Sequence, residues 1–233
     1  MQLADFPGMD GAPVPGYLVQ TDDGRNVLID TGQPRHFIGA HRRSPDEPVR
    51  MEEEDYVVNQ LGRIGVSPDD VEYLVCTHFD GDHAGNHDVF PSAELVVQRA
   101  HHEAAIAGLA RLQPNRPLWD RPEARLRLVD GDTELLPGIE LIDTSGHVPG
   151  HQSVLVRLPE TGPVLLAIDA IPVSGLSDPD TRPATPFDMD EAGVRASTRK
   201  LVELAEREGV TLMVFGHDAP QWRELKKLPE FYS

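Results

Sequence analysis

The stretch 77-THFDGDHAGN-86 holds two histidines, two aspartates and two glycines within ten residues, and it follows a run of apolar residues. Imidazole nitrogens and carboxylate oxygens are ligands of zinc-like ions. An extended backbone sends residues i, i+2 and i+4 to one side. With a turn after position 82, this pattern predicts the convergence of His78, Asp80, Asp82 and His83. The ten residues alone leave two interpretations open, a metal site and a polar loop with incidental histidines.

Three further ligand-type residues stand at the carboxyl ends of apolar runs that read as strands, namely His147, Asp169 and His217. Strand ends deliver side chains to loops at the rim of a sheet, where functional residues are commonly found. Together with the first stretch they make four histidines and three aspartates. That number suits two zinc-like ions, and two ions about 4 Å apart form a hydrolytic clamp. The polar-loop interpretation is therefore disfavoured.

Four segments resemble, in order and approximate spacing, the metallo-β-lactamase fold superfamily over about residues 16–220. They are 77-THFDGDHAGN-86, 147-HVPGHQS-153, 168-IDA-170 and 216-GHD-218. The resemblance implies an α/β fold, a four-layer αββα sandwich of two mixed β-sheets flanked by helices. It also implies a single hydrolase domain over residues 1–233.

Three segments are more narrowly similar to the N-acyl-homoserine lactonases and related lactonases: 144-TSGHVPGHQSVLV-156, 163-PVLLAIDA-170 and 214-VFGHDAP-220. This resemblance implies a metal-dependent, quorum-quenching hydrolase. It would open an N-acyl-homoserine lactone or a related lactone through a metal-bridging hydroxide. Because a fold does not fix the reaction, hydrolysis of a thioester, β-lactam or phosphodiester remains an alternative. A non-catalytic binding protein with an altered metal site is the alternative from a different class.

The resemblance implies a role for each of the seven ligands at two divalent ions. The first ion would be held by His78, Asp80 and His147. The second would be held by Asp82, His83 and His217, and Asp169 would bridge both ions. The leaving alkoxide would be stabilised by the second ion or by a proton from Asp82, the predicted catalytic residue. Zinc is the expected metal, with manganese or iron as alternatives.

Two positions depart from the pattern of the resemblance. The superfamily usually has a histidine where this chain has Asp80. A carboxylate there lowers the charge of the site by one, which should raise the pKa of bound water and favour harder metals. Its shorter side chain predicts a weaker first metal position. The homoserine lactonases usually carry a substrate-contacting tyrosine three residues after the bridging aspartate, where this chain has Pro172.

Composition limits the partners. The formal net charge of −18 argues against a nucleic-acid surface, which needs clustered Lys and Arg. No apolar run reaches the roughly 18–20 residues of a membrane span, and the first residues lack a signal pattern. We therefore expect a cytoplasmic protein with a small-molecule lactone or ester substrate and no nucleic-acid or membrane partner. Related lactonases are often dimers, so a homodimer is left open.

Local patterning predicts the main elements and the roles of several other residues. The predicted elements are a hairpin over 16–30, a strand over 72–76, helices over 51–65, 99–110 and about 189–208, and a β-meander over 125–144. Cys76 is predicted to be a buried apolar residue rather than a nucleophile. His101 and His102 are predicted to be solvated, and His151 to support a ligand rather than to bind metal.

Overall fold

The computed structural model describes residues 1–44 and 46–233. The strands, in chain order, are β1 (Gln2–Phe6), β2 (Ala12–Pro15), β3 (Tyr17–Gln20), β4 (Asn26–Ile29), β5 (Val71–Val75), β6 (Glu94–Gln98), β7 (Arg125–Val129), β8 (Thr133–Leu136), β9 (Ile139–Asp143), β10 (Gln152–Leu158), β11 (Gly162–Ile168) and β12 (Leu212–Phe215). The α-helices are α1 (Ala40–Arg43), α2 (Val57–Gly62), α3 (Gly81–Ala84), α4 (Arg99–Ile106), α5 (Arg116–Trp119), α6 (Glu191–Glu208) and α7 (Ala219–Glu224).

One mixed sheet has the strand order β3-β4-β5-β6-β7. β3 and β4 form the predicted antiparallel hairpin, and β4, β5 and β6 run parallel to one another. Every residue of β4 is buried, as is typical of parallel strands covered on both faces. Because Ile29 pairs with Val75 at the ends of β4 and β5, the segments that leave these two strands begin side by side.

A second mixed sheet has the order β12-β11-β10-β9-β8. Its first four strands along the chain pair antiparallel, whereas β12 runs parallel to β11. Leu201 and Leu204 of α6 pack against Leu155 and Leu165 in one buried cluster. The parallel pairing of β11 with β12 brings the residues that follow both strands to the same edge of the sheet.

The chain divides into two compact units. The first comprises Met1–Val97, Ala107–Arg127 and Lys226–Glu230, and the second comprises Gln98–Ile106, Leu128–Leu225 and Phe231–Ser233. The motif over residues 77–86 belongs to the first unit, whereas the three strand-end ligands belong to the second. A single domain over residues 1–233 stays a prediction.

Several predicted elements differ in the structure. The helix predicted over 51–65 is shorter, because a capped 3-10 turn at Glu53–Asp55 precedes α2. The meander predicted over 125–144 is wrong in one strand, since β7 belongs to the other sheet from β8 and β9. The paired strands β1 and β2 near the start of the chain were not predicted.

The longest helix, α6, agrees with the prediction over about 189–208. It begins after Asp190 and ends at Gly209, which adopts a φ of 63°, a conformation that suits glycine at a helix end. Its buried face includes Val194, Leu201 and Leu204. Across residues 1–44 and 46–233, no helix has both the length and the apolar character needed to cross a membrane.

Candidate metal centre

The motif over residues 77–86 begins at the end of β5 and finishes in a short helix. Asp80 is still extended, with φ −67° and ψ 151°, and α3 starts at Gly81. The prediction that the chain stays extended to Asp82 is therefore wrong, because Asp82 lies in the first turn of α3 and His83 in its last turn. The side chains are brought together by a strand-to-helix turn rather than by a strand alone.

The segment that follows β4 holds this turn in place. Thr31 N donates to His83 O at 2.8 Å, and Gly85 N donates to Gly32 O at 3.0 Å. A Cβ on residue 85 would lie 2.3 Å from Gly32 O, so any side chain there would force the two segments apart. The position of α3 is thus set by the neighbouring parallel strand.

Asp30 orients both histidines of the motif. Its Oδ2 lies 2.8 Å from His83 Nδ1 and accepts a hydrogen bond of 2.7 Å from Thr77 Oγ1, which in turn lies 3.1 Å from His78 Nδ1. This network assigns the proton of each ring to Nδ1 and leaves the Nε2 lone pair as the ligand. Asp30 is fully buried and has a φ of 59°, an uncommon conformation for a residue with a side chain.

The candidate ligand atoms of the first unit have the spacing that two ligands of one ion would have. His78 Nε2 lies 3.3 Å from Asp80 Oδ2, and His83 Nε2 lies 3.6 Å from Asp82 Oδ2. Two atoms bound about 2.0–2.1 Å from a tetrahedral ion stand about 3.3 Å apart. The two imidazole rings are 4.1 Å apart between centroids. The structure therefore brings the four predicted side chains of this motif together.

The second unit brings its three predicted ligands together around Asp169. Asp169 Oδ2 lies 3.3 Å from His147 Nε2, and Asp169 Oδ1 lies 3.1 Å from His217 Nε2. Each carboxylate oxygen thus faces a different histidine, which is the arrangement expected of a carboxylate that bridges two ions. His217 N donates to Pro172 O at 2.7 Å, so Pro172 helps to position His217 through its backbone.

Close backbone approach at the ends of β11 and β12 sets the position of Asp169. Ile168 has a φ of 51°, a strained value for a β-branched residue, and such strain is often found at functional sites. A Cβ on Gly216 would lie 2.7 Å from Ile168 O and 2.8 Å from Asp169 Oδ1. Only glycine at position 216 lets the segment carrying His217 pass this close to Asp169.

A buried ion pair stands behind His147. Asp188 Oδ1 lies 3.1 Å from His147 Nδ1, and Asp188 Oδ2 accepts from Arg182 Nη2 at 3.1 Å and from Thr185 N at 2.7 Å. Burial raises the pKa of Asp188, but hydrogen bonds from His147 and Thr185 and the charge of Arg182 outweigh it and lower the pKa to about 2. The ionised carboxylate keeps the proton of His147 on Nδ1 and directs Nε2 towards Asp169.

Other predicted residues lie outside these clusters or support them. Cys76 is buried, and burial raises the pKa of its thiol well above the ordinary value, which makes it a poor nucleophile. The prediction that His101 is solvated is wrong, because its buried ring lies 2.7 Å from Pro149 O. His151 Nδ1 lies 2.8 Å from Thr144 Oγ1. Asp218 accepts from Gln221 N at the start of α7.

Three residues at the clusters were missed from the sequence. Asp30 is the last residue of a predicted strand, which is a weak signal for a functional position. Arg111, which pairs with Asp80, and Asp188 lie in segments without a readable pattern. Their roles depend on contacts across the fold, which local sequence does not encode.

Comparison with known families shows which superfamily the chain belongs to. The family model described as the metallo-beta-lactamase superfamily matches residues 9–217. The chain belongs to this superfamily, and the α/β fold class predicted from its sequence is confirmed.

Among the relatives are N-acyl homoserine lactonases. One from Bacillus sp is 36% identical over 226 residues, covering 94% of this chain and 86% of that protein. The lactonase AiiA from Bacillus thuringiensis subsp. kurstaki is 34% identical with the same coverage. A solved N-acyl homoserine lactone hydrolase with N-hexanoyl-L-homoserine bound at its catalytic metal centre has a TM-score of 0.84 and 32% identity, covering 95% of this chain and 88% of that one.

Proposed function

We propose that this protein is a metal-dependent lactonase that hydrolyses the ring ester of N-acyl-homoserine lactones. The observation that carries the proposal is Asp169, whose two oxygens face Nε2 of His147 and of His217 at 3.3 and 3.1 Å. The relatives above, which are N-acyl homoserine lactonases, support this substrate class.

Two divalent ions are proposed as the cofactor, held by the seven residues predicted from the sequence. His78, Asp80 and His147 would bind one ion, and Asp82, His83 and His217 the other, with Asp169 shared. The donor set fits such ions, since in three of the four histidines a hydrogen bond at Nδ1 presents Nε2 as the ligand. When bound, the ions supply an activated water and polarise the ester carbonyl. Mixed imidazole and carboxylate ligands suit zinc, and manganese or iron are the proposed alternatives.

Asp82 is the proposed proton donor for the leaving alkoxide. It sits in the first turn of α3, and 17% of its side chain is exposed, so it can reach a substrate while its neighbour His83 is fixed by Asp30. The Asp82 carboxylate would take up the proton released by the attacking water and pass it to the ring oxygen as the C–O bond of the ester breaks. No side chain needs to act as nucleophile, in agreement with the buried and weakly acidic Cys76 thiol.

A metal-reconstituted hydrolysis screen tests the proposal. Protein loaded separately with zinc, manganese, cobalt or iron is assayed on γ-butyrolactone, acyl-homoserine lactones of several chain lengths, a thioester, a cephalosporin and a phosphodiester. We expect the highest kcat/KM on an acyl-homoserine lactone. Asp180 is exposed and is not one of the seven proposed ligands. Asp180→Asn is therefore the control for replacing an aspartate outside the site, and it should retain activity. Preference for the thioester, cephalosporin or phosphodiester would replace the proposal by one of those activities.

We propose a homodimer as the assembly, an expectation that rests only on the family resemblance of the sequence. Light scattering of the purified, metal-loaded protein at several concentrations measures the molar mass directly. A mass near the 25.7 kDa of one chain would contradict it.

A further inference from the structure

Asp80 is held by an arginine from a distant part of the chain. Arg111 Nε lies 3.1 Å from Asp80 Oδ1 and 3.2 Å from Oδ2, and Arg111 Nη2 also contacts Oδ2. A guanidinium that contacts both oxygens fixes the plane of a carboxylate, and such charge-assisted pairs are stronger than neutral hydrogen bonds. The two residues are 31 positions apart, and their side chains are only 17% and 25% exposed.

The same carboxylate also points towards a metal ligand. Asp80 Oδ2 lies 3.3 Å from His78 Nε2, the separation of two ligands on one ion. Each carboxylate oxygen carries two lone pairs, so Asp80 can accept from Arg111 and still present an oxygen to an ion. Hydrogen bonds to ligating carboxylates orient them and tune the metal.

We propose that Arg111 is a positioning residue that converts Asp80 into a charge-compensated metal ligand. The guanidinium orients Oδ2 towards the ion that His78 binds and offsets the negative charge of the carboxylate. The pair then presents the first ion with an oxygen ligand but with the net charge of a neutral imidazole. This inference rests on the proposed metal site, and it changes the prediction from sequence that Asp80 leaves the first position weak.

The contributions of Asp80 and Arg111 to metal binding should therefore depend on each other. Without Arg111, Asp80 loses its orientation, and a misdirected ligand binds the ion less well. Without the Asp80 carboxylate, Arg111 leaves an uncompensated cation beside a divalent ion, which repels it. Removal of Arg111 should therefore weaken metal binding when residue 80 is Asp and strengthen it when residue 80 is His.

A double-mutant cycle tests this reversal of sign. The four proteins are the wild type, Arg111→Met, Asp80→His and the double variant, each titrated with zinc against a chromophoric chelator. We expect Arg111→Met to weaken binding of one ion about 10–100-fold, the usual range for losing such a supporting contact. In the Asp80→His background the same change should tighten binding of that ion. Arg111→Lys should fall between, because it keeps the charge but not the bidentate geometry.

A second readout separates positioning from a general loss of structure. Cobalt absorption reports the ligand geometry of a bound ion, and Arg111→Met should alter the spectrum of one of two bound cobalt ions. Arg116→Met is the matched control, since it breaks the Arg116–Asp120 pair in the same unit and should leave affinity and spectrum unchanged. Thermal unfolding of each metal-free variant shows whether it is folded.

Each alternative result overturns the inference in a recognisable way. Equal zinc affinity with and without Arg111 would make the contact an ordinary surface ion pair. Tighter binding by Arg111→Met in the Asp80 background would mean that Arg111 competes with the ion. A wild type that binds no divalent ion contradicts both this inference and the proposed function. If the cycle shows the expected reversal of sign but the wild type hydrolyses no lactone, only the proposed function is contradicted.

Discussion

The two clusters of candidate ligands are built in different ways. In the first unit, four candidate ligands come from six consecutive residues, and one neighbouring carboxylate, Asp30, orients both histidines. In the second unit, three candidate ligands come from three separate strand ends, and Asp169 is placed by backbone approach at Gly216 and Ile168. The two histidines of the contiguous motif share one supporting residue, whereas the dispersed cluster relies on the packing of the strands. The two clusters should therefore fail in different ways when they are mutated.

Replacement of the shared carboxylate should have the largest effect. Asp169→Asn keeps the shape of the side chain but removes the charge that would bridge two ions. Charge stabilisation by metal ions is worth several kcal/mol in a transition state, so we expect kcat/KM to fall about 1000-fold on the best lactone of the screen. Activity retained within tenfold would contradict the assignment of Asp169 as the bridge.

The orienting carboxylates directly test the contrast between the clusters. Asp30→Asn affects His78 and His83, whereas Asp188→Asn affects only His147. Loss of such a partner usually weakens metal affinity about 10–100-fold. We expect Asp30→Asn to weaken both ions and Asp188→Asn to weaken one, as measured by chelator competition. Equal effects of the two changes would show that His78 and His83 do not depend on Asp30 as a shared support.

The sequence predicted which side chains cluster better than it predicted the residues that support them. The histidines and aspartates of the motif are close together along the chain, and the others stand at strand ends, so residue type and position at strand ends were enough to propose them as ligands. The partners of His83, Asp80 and His147 lie 53, 31 and 41 residues away. Which distant residue meets which ligand depends on strand register and loop packing, for which a single sequence has no local signal.

In the second unit, the close approach of Gly216 to Ile168 and Asp169 should be disrupted by the addition of one methyl group. Gly216→Ala places a Cβ 2.7 Å from Ile168 O and 2.8 Å from Asp169 Oδ1, so one segment must move. Overpacking of this kind lowers the free energy of unfolding by about 1–3 kcal/mol, and the shift of Asp169 should also lower kcat. A Cβ at Gly175 meets no atom within 4 Å, so Gly175→Ala is the control in denaturant titrations. Similar stability of the two variants would show that the backbone approach does not constrain Asp169.

His87 lies four residues beyond His83, and its environment differs from that of the histidines whose Nδ1 atoms are hydrogen-bonded. Among the residues that the structure describes, neither ring nitrogen of His87 has a hydrogen-bond partner, and both are buried. Burial, with a smaller contribution from the charge of Arg121, lowers the pKa of His87 to about 3. The unfolded chain, with a pKa of about 6.5 at this residue, therefore binds a proton that the folded chain does not.

The lower pKa of His87 in the folded chain predicts a loss of stability at acid pH, and this is the smallest of the predicted effects. Stability from His87 is constant above about pH 6.5 and falls as the pH drops towards the folded pKa of about 3. Linkage predicts a loss of about 1 kcal/mol between pH 7 and pH 5.5. His87→Phe should remove this part of the acid dependence, so that its unfolding free energy, from denaturant titration, falls less than that of the wild type. A His87→Phe curve parallel to that of the wild type would show that His87 is protonated in the folded protein.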